Sequence, residues 1–271
     1  MHDADCVVFL QRALPHLGLR WPGYRRVRGQ VCKRIARRIR ALGLDGLPAY
    51  AAYLGEHSAE WPVLEAMCSI PISRFYRDRA VFDALGDLVL PGLAGRAVSR
   101  TPPVVRCWSA GCASGEEPYT LRLLWDLRIG PRSPGVAVSI TATDVNERLL
   151  DRARAACYRR SSLRELPAGW IDQAFDPHGR LFCLRERSRQ CVEFRRQDLR
   201  HEQPSGEFDL VLCRNVAFTY FCEPAQRDVL ARIGGCLASG GFLVIGLHES
   251  LPSGAPFRPT SSARGIYRRL P

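Results

Sequence analysis

The run Val104-Val105-Arg106-Cys107-Trp108 is apolar and β-branched enough to be a buried strand, and Leu121 to Trp125 has the spacing of a helix. Only the small residues of WSAGCASGEEPYT lie between them, so a strand turns into a helix through a glycine-bearing bend. Gly111 and Gly115, beside Ala110, Ala113 and Ser114, let a ligand approach the backbone closely, and the helix that follows presents free N–H groups. Glu116 and Glu117 narrow the choice of ligand, because two carboxylates in a first helical turn repel phosphate. A cationic or neutral ligand end fits better, and S-adenosylmethionine has such an end in its sulfonium and amino-acid tail. The competing reading is a tight strand-to-helix turn with a solvated first turn.

Strand and helix signals alternate from Val104 onward. Residues 136–143, 208–213 and 241–247 read as strands, while 146–157 and 224–237 read as helices. Such alternation specifies an α/β domain with a largely parallel sheet, helices on both faces and ligands at the carboxyl ends of the strands. Asp144 closes the second strand 29 residues beyond Gly115, where an acid can take hydrogen bonds from ribose hydroxyls; it can equally cap the next helix. Asn215 follows the third strand and offers both a donor and an acceptor, and Asp198 and Leu199 follow a short run at 192–195. The arginine-rich stretch from Arg180 to Arg195 breaks the alternation and reads as an inserted hairpin turning about Glu186 to Arg189. Gly265 to Arg269 reads as a last edge strand.

Residues 1–80 read as a helical N-terminal domain, and 81–271 as the α/β domain with the inserted hairpin at about 178–196. Within YRRVRGQVCKRIARRIRAL, from Tyr24 to Leu42, there are eight basic residues and no acid. Val27, Val31, Ile35, Ile39 and Leu42 line one side of this expected helix, and Arg26, Lys33, Arg34, Arg37 and Arg40 the other, with Gly43 at its end. The basic face suits an acidic partner; a solvated face is the alternative. Leu47 to Leu54 and Trp61 to Cys68 read as further helices, the second capped by Ser58, and Gly92 to Pro103 as a loop. Of the eleven cysteines none forms C-x-x-C, and Cys107, Cys213 and Cys236 sit in apolar runs, so reduced core thiols are expected. No apolar run has the length of a membrane span and the first residues lack a basic signal region, which favours a cytoplasmic protein. The six histidines are dispersed singly, and no metal set is expected.

WSAGCASGEEPYT, ATDVN at 142–146, ARAACYRRSSLRELP at 153–167, FDLVLCRNV at 208–216 and SRFYRD at 73–78 together resemble the CheR family of chemotaxis-receptor glutamate methyltransferases, in order and in spacing. The resemblance spans about residues 20 to 250. It implies a Rossmann-like class I methyltransferase domain with a mostly parallel sheet and a small inserted β-subdomain, preceded by a small all-helical domain. It also implies S-adenosylmethionine as methyl donor, S-adenosylhomocysteine as product and Ser73, Arg77, Glu116, Asp144, Asp198, Leu199, Asn215 and Val216 in the cofactor site. Arg77 is further implicated in catalysis, and Tyr220 is the nearest match to a tyrosine near the methyl-transfer centre. Pro71 stands where members carry a polar residue. CRNVAFTYFC has one residue more than the usual spacing, with Cys222 in place of an acid.

A glutamate acceptor, with a pKa of about 4.3, is ionised at pH 7 and needs no general base. Orientation suffices, which agrees with the absence of a Ser-His-Asp or Cys-His set. The expected partner is an acidic helical protein such as the cytoplasmic region of a chemoreceptor, without membrane insertion; nucleic acid fits less well. The altered Tyr220 segment leaves open a changed acceptor, and a non-catalytic cofactor-binding signalling module is a third reading.

Overall fold

The computed structural model describes residues 2–261 and 263–270, and the chain divides into two units. The first consists of residues 2–71 with Thr219–Gln226, and the second of Ile72–Phe218 with Arg227 onward.

In the first unit, α1 (Asp3–Ala13), α2 (Trp21–Tyr24), α3 (Arg28–Ala41), α4 (Gly46–Glu56) and α5 (Glu60–Cys68) enclose a core of Leu10, Tyr24, Val31, Ile35, Tyr50 and Leu64. The stripe at 31, 35 and 39 buries one side of α3, as its spacing requires. That helix begins later than expected: Tyr24 belongs to α2, so Arg26 lies in the intervening turn. It ends at Ala41 with Leu42 as its C-cap, where Gly43 (φ +69°) passes its N–H to the carbonyl of Arg40 and Leu44 passes its own to Ile39. These two bonds satisfy carbonyls the helix leaves free, which is why a glycine stands at 43. Ala59, and not Ser58, occupies the N-cap of α5. The one buried acid of the unit, Glu60, is charge-compensated: Arg38 donates to both its oxygens at 2.9 and 2.7 Å and the Tyr50 hydroxyl to one at 2.9 Å. The Arg38 hydrogen bonds hold the Glu60 carboxyl below its ordinary pKa. The segment from Thr219 returns to this unit: Arg20 donates its N–H to the Tyr220 carbonyl, Cys222 donates to Gly18, and a Cβ on Gly23 would lie 2.3 Å from the Thr219 carbonyl.

The second unit opens with a continuous helical rod, α6 (Arg79–Ala84), a π turn (Leu85–Val89) and α7 (Leu90–Ala97). The expected loop at Gly92 to Pro103 is therefore helical over its first half, because Leu93, Ala94 and Ala97 face the core and outweigh the glycines. There follow β1 (Val104–Ala110), α8 (Glu116–Leu124), β2 (Ala137–Asp144), α9 (Glu147–Ala155), β3 (Cys157–Arg159), α10 (Trp170–Ala174), β4 (Phe175–His178), β5 (Leu181–Leu184), α11 (Glu186–Arg189), β6 (Val192–Arg196) and β7 (Phe208–Leu212). The chain continues through α12 (Ala217–Tyr220), α13 (Glu223–Cys236), β8 (Leu237–Val244), β9 (Phe257–Pro259) and β10 (Ile266–Arg269). The large sheet has the order β6-β2-β1-β7-β8-β10-β9; all neighbours pair parallel as far as β8, and β10 is antiparallel to both of its neighbours. This is the mostly parallel α/β sheet expected, with its strand order reversing between β1 and β7.

Three expectations are corrected. The inserted subdomain turns at Gly179 between β4 and β5, which pair with β3 in a three-stranded antiparallel sheet. Glu186 to Arg189 is the helix α11, and β6 beyond it joins the large sheet beside β2, so the strands flanking it belong to different sheets. The strand β10 lies inside the sheet because β9 covers it. Two cysteine pairs are disulfides, Cys6–Cys32 and Cys157–Cys183. Cys157 and Cys183 are opposite residues of β3 and β5, a juxtaposition that sequence spacing does not reveal. Cys107, Cys213 and Cys236 are buried free thiols, as expected.

Candidate active site

The order of the sheet puts the ends of β1 and β7 side by side at the reversal point, where an α/β sheet opens a crevice. The bend after β1 is tied to the end of β2. The N–H groups of Gly111 and Cys112 both donate to the Thr143 carbonyl, at 2.8 and 2.9 Å. The Asp144 carboxylate takes one N–H on each oxygen, Ala113 at 2.9 Å and Asn146 at 2.9 Å. Asn146, not Asp144, is the N-cap of α9. A carboxylate has about four acceptor positions, so Asp144 keeps capacity beyond its backbone bonds. Burial raises the pKa of this carboxyl, and the backbone N–H groups pull it back. Both glycines of the bend have left-handed φ, +75° and +89°. Side chains are excluded as well: a Cβ on Gly111 would stand 2.6 Å from Val216 Cγ2, and one on Gly115 2.9 Å from Ala153 Cβ. The glycines therefore serve close packing of the bend against its neighbours, with Val216 seated directly on it.

The two glutamates of α8 separate. Glu116 is buried, its Oε1 accepts from the Ser114 hydroxyl at 3.2 Å, and its Oε2 has no hydrogen-bond partner. Burial raises its pKa, against its own N–H and the hydroxyls of Ser114 and Ser73. An unmet carboxylate oxygen in such a place is costly unless a donor arrives with a ligand. Glu117 is already satisfied, by the Ser109 hydroxyl at 2.7 Å and by Arg214 at 3.0 Å. Of the pair read as repelling phosphate, only Glu116 has an oxygen to spare.

Sequence alone does not single out Arg214. Its side chain is 2% exposed; besides Glu117 it binds Asp78 Oδ2 at 2.7 Å and the Arg77 carbonyl at 2.8 Å, and it lies 5.0 Å from the centre of the Phe82 ring. It thereby joins the end of β7, the first turn of α8 and the segment SRFYRD. That segment is held tightly, with Tyr76 and Asp78 at φ +57° and +64° and the Phe75 ring against Tyr158 and Phe175 of the small sheet at 4.8 and 5.5 Å. A charge placed immediately after a fully buried strand was the available signal, since an arginine is buried only when paired.

The remaining candidates fall as follows. Arg77 donates to the Ile72 carbonyl at 2.7 Å and meets no carboxylate among the described residues. Asn215, at φ +57°, donates its N–H to Glu249, which also receives the N–H of Gly246. Asp198 is engaged by the guanidinium of Arg200 at 3.0 and 2.7 Å; despite its burial, that pairing lowers its pKa. Leu199 is buried, and Gln197 just before it donates to the Asp144 carbonyl, which brings this segment to the end of β2. Tyr220 packs in the helical unit, its ring 5.0 Å from that of Tyr24. Of the basic residues of α3, Lys33, Arg37 and Arg40 are exposed, but Arg34 is turned inward to cap α5 through the carbonyls of Met67 and Ser69, at 2.9 and 2.5 Å.

Residues 72–266 match the family model described as CheR methyltransferase, SAM binding domain. The chain belongs to the CheR methyltransferase family. A probable chemotaxis protein methyltransferase of Rhizobium etli is 32% identical, over 81% of this chain and 83% of that protein. The chemotaxis protein methyltransferase of Salmonella typhimurium is likewise 32% identical, over 82% of this chain and 76% of its own length. An uncharacterized 104.1 kDa protein of Rhodobacter capsulatus is 33% identical over 82% of this chain, which spans 23% of that larger protein. As a CheR family member the chain is an S-adenosylmethionine-dependent methyltransferase, and the sheet described above is its class I methyltransferase fold.

Proposed function

We propose that this chain methylates glutamate side chains on an acidic helical region of a chemoreceptor-like protein, in the cytoplasm, leaving a glutamyl methyl ester and S-adenosylhomocysteine. The observation that carries the acceptor is Arg77, whose guanidinium is anchored by the Ile72 carbonyl and meets no carboxylate among the described residues. Its remaining N–H groups are available to hold an incoming carboxylate by a forked pair of bonds.

The residues present fit S-adenosylmethionine. The unmet Oε2 of Glu116 suits the ammonium of its amino-acid tail, and Ser73 supports the same end. Asp144 has acceptor capacity for ribose hydroxyls, Gly111, Gly115 and Val216 shape the floor, and the family resemblance adds Asp198, Leu199 and Asn215 to the same cofactor site. When bound, the donor supplies a methyl group on a positively charged sulfur. The chain's own part is to orient: Arg77 aims the acceptor oxygen, and no proton need be removed from an ionised acceptor.

Arg77→Lys is expected to keep the fold and most of the cofactor affinity while lowering turnover about tenfold, because a point charge does not reproduce a planar fork. Initial rates with saturating donor measure this, and equal rates for variant and parent would remove Arg77 from the mechanism.

Lys33, Arg37 and Arg40 lie on one side of α3, with Arg26 in the turn before it, and this charge is proposed to dock the acidic substrate. Arg34 contributes less than its sequence position implies, being spent on the end of α5. Attraction of this kind is screened beyond about 8 Å at physiological salt. Methylation of an acidic helical substrate should therefore slow with added salt through the association rate, with cofactor binding unaffected. Reversing Arg37 and Arg40 to Glu should imitate that loss at low salt. A rate indifferent to both would make the side of α3 a solvated face. In the cytoplasm the two disulfides would be an exception to the usual thiol state.

A further inference from the structure

We infer that Arg96, Arg258 and Arg268 form a binding site for a small diphosphate-bearing ligand around Gly240, in the irregular first half of β8, at the amino ends of β7 and β8 and so at the opposite end of these strands from Asn215 and Val216. Arg96, at the end of α7, donates to the Gly240 carbonyl at 3.1 Å, which fixes its guanidinium. Gly240 has φ +65°, and the place its Cβ would take is 3.1 Å from an Arg96 nitrogen and 3.2 and 3.5 Å from two nitrogens of Arg268. Two guanidinium groups thus converge over a residue that has no side chain. Arg258 lies directly opposite Arg268 in the β9–β10 register, so the two project from the same face.

No carboxylate pairs with any of the three among the described residues. The acid in this region, Asp209, is held by both guanidinium nitrogens of Arg100, at 2.7 and 2.8 Å, and by the N–H of Arg106. Burial depresses the pKa of Arg96; the more distant Asp209 charge opposes this, and those of Arg100 and Arg268 add to it. Like charges opposed across strands are destabilising, so an arrangement of three with no carboxylate in contact suits an anion. Neighbouring strands are about 4.8 Å apart, which separates Arg258 from the Arg96–Arg268 pair by a span that two linked phosphates match better than one.

The test is calorimetric titration of the full chain with pyrophosphate, ADP and inorganic phosphate at low salt. Pyrophosphate should saturate one site, and Arg96→Gln and Arg268→Gln should each weaken it about tenfold. Arg132→Gln, which removes the same charge elsewhere on the surface, should leave it unchanged. The S-adenosylmethionine affinity of each variant reports whether it is folded, and Arg258→Gln, on the edge strand, gives an independent variant. ADP bound more tightly than pyrophosphate would make the natural ligand a nucleotide, and ADP bound equally or less tightly would make it free diphosphate; both support the site. Absence of saturation, phosphate binding as tightly as pyrophosphate, or an equal loss in Arg132→Gln would overturn it.

Discussion

Arg214→Met is expected to destabilise the protein by about 3–5 kcal/mol, the range found when one partner of a buried ion pair is removed. The loss has a definite source. Glu117 and Asp78 are 13% and 25% exposed at their side chains, and both would lose the cation that compensates them. The Arg77 carbonyl would lose a donor at the same time, and with it the left-handed turn at Asp78 would lose its fastening. Denaturant unfolding of variant and parent measures the effect, and a difference under 1 kcal/mol would show that the cluster stabilises nothing. Arg214→Lys should recover part of the loss, since an ammonium reaches one carboxylate but cannot span both.

A ten- to hundredfold loss of S-adenosylmethionine affinity is expected for Asp144→Ala, equivalent to about 1.5–3 kcal/mol, the worth of hydrogen bonds to a charged acceptor. The structure adds a second route to the same loss, because the carboxylate also fastens Ala113 to Asn146 and so holds the glycine bend in shape. Asp144→Asn separates the two: its single carbonyl oxygen keeps one of the backbone bonds, and the amide that replaces the other oxygen can accept nothing. Calorimetry on the three proteins would rank Asn between Asp and Ala. A folded Ala variant with parental affinity would reduce Asp144 to a stitch in the turn.

What could be seen in the sequence was local. The bend from Trp108 to Glu116, the strand ends at Asp144 and Asn215, and the amphipathic helices before residue 70 all carry their signal within one or two turns of chain, and the structure has them in place. Features made by distant residues were hidden. The two disulfides join cysteines 26 residues apart that no spacing rule links. Arg214 is satisfied by Asp78, 136 residues earlier, and without that partner on view it reads as one more surface charge of a basic protein. Arg34 shows the same limit in reverse. Helical geometry gave its direction around α3, but its length lets it reach the carbonyls at the end of α5. The stretch from Glu186 to Arg189 misled because polar residues between two apolar runs look alike whether they turn a hairpin or carry the chain from one sheet to another.

The return of Thr219–Gln226 to the helical unit bears on how the protein is made. A chain emerging from the ribosome presents α1 to α5 before the sheet, yet Arg20, Leu19 and Gly18 wait for partners at Tyr220, Phe221 and Cys222. The small groove left by the missing side chain of Gly23 is filled by backbone that is synthesised almost two hundred residues later, the separation between Arg20 and Thr219 being 199. The helical unit is thus translated ahead of the sheet yet unable to finish folding until the strands through β7 have been made, and a fragment cut after residue 71 would carry an open backbone edge at Leu19 in place of a finished surface.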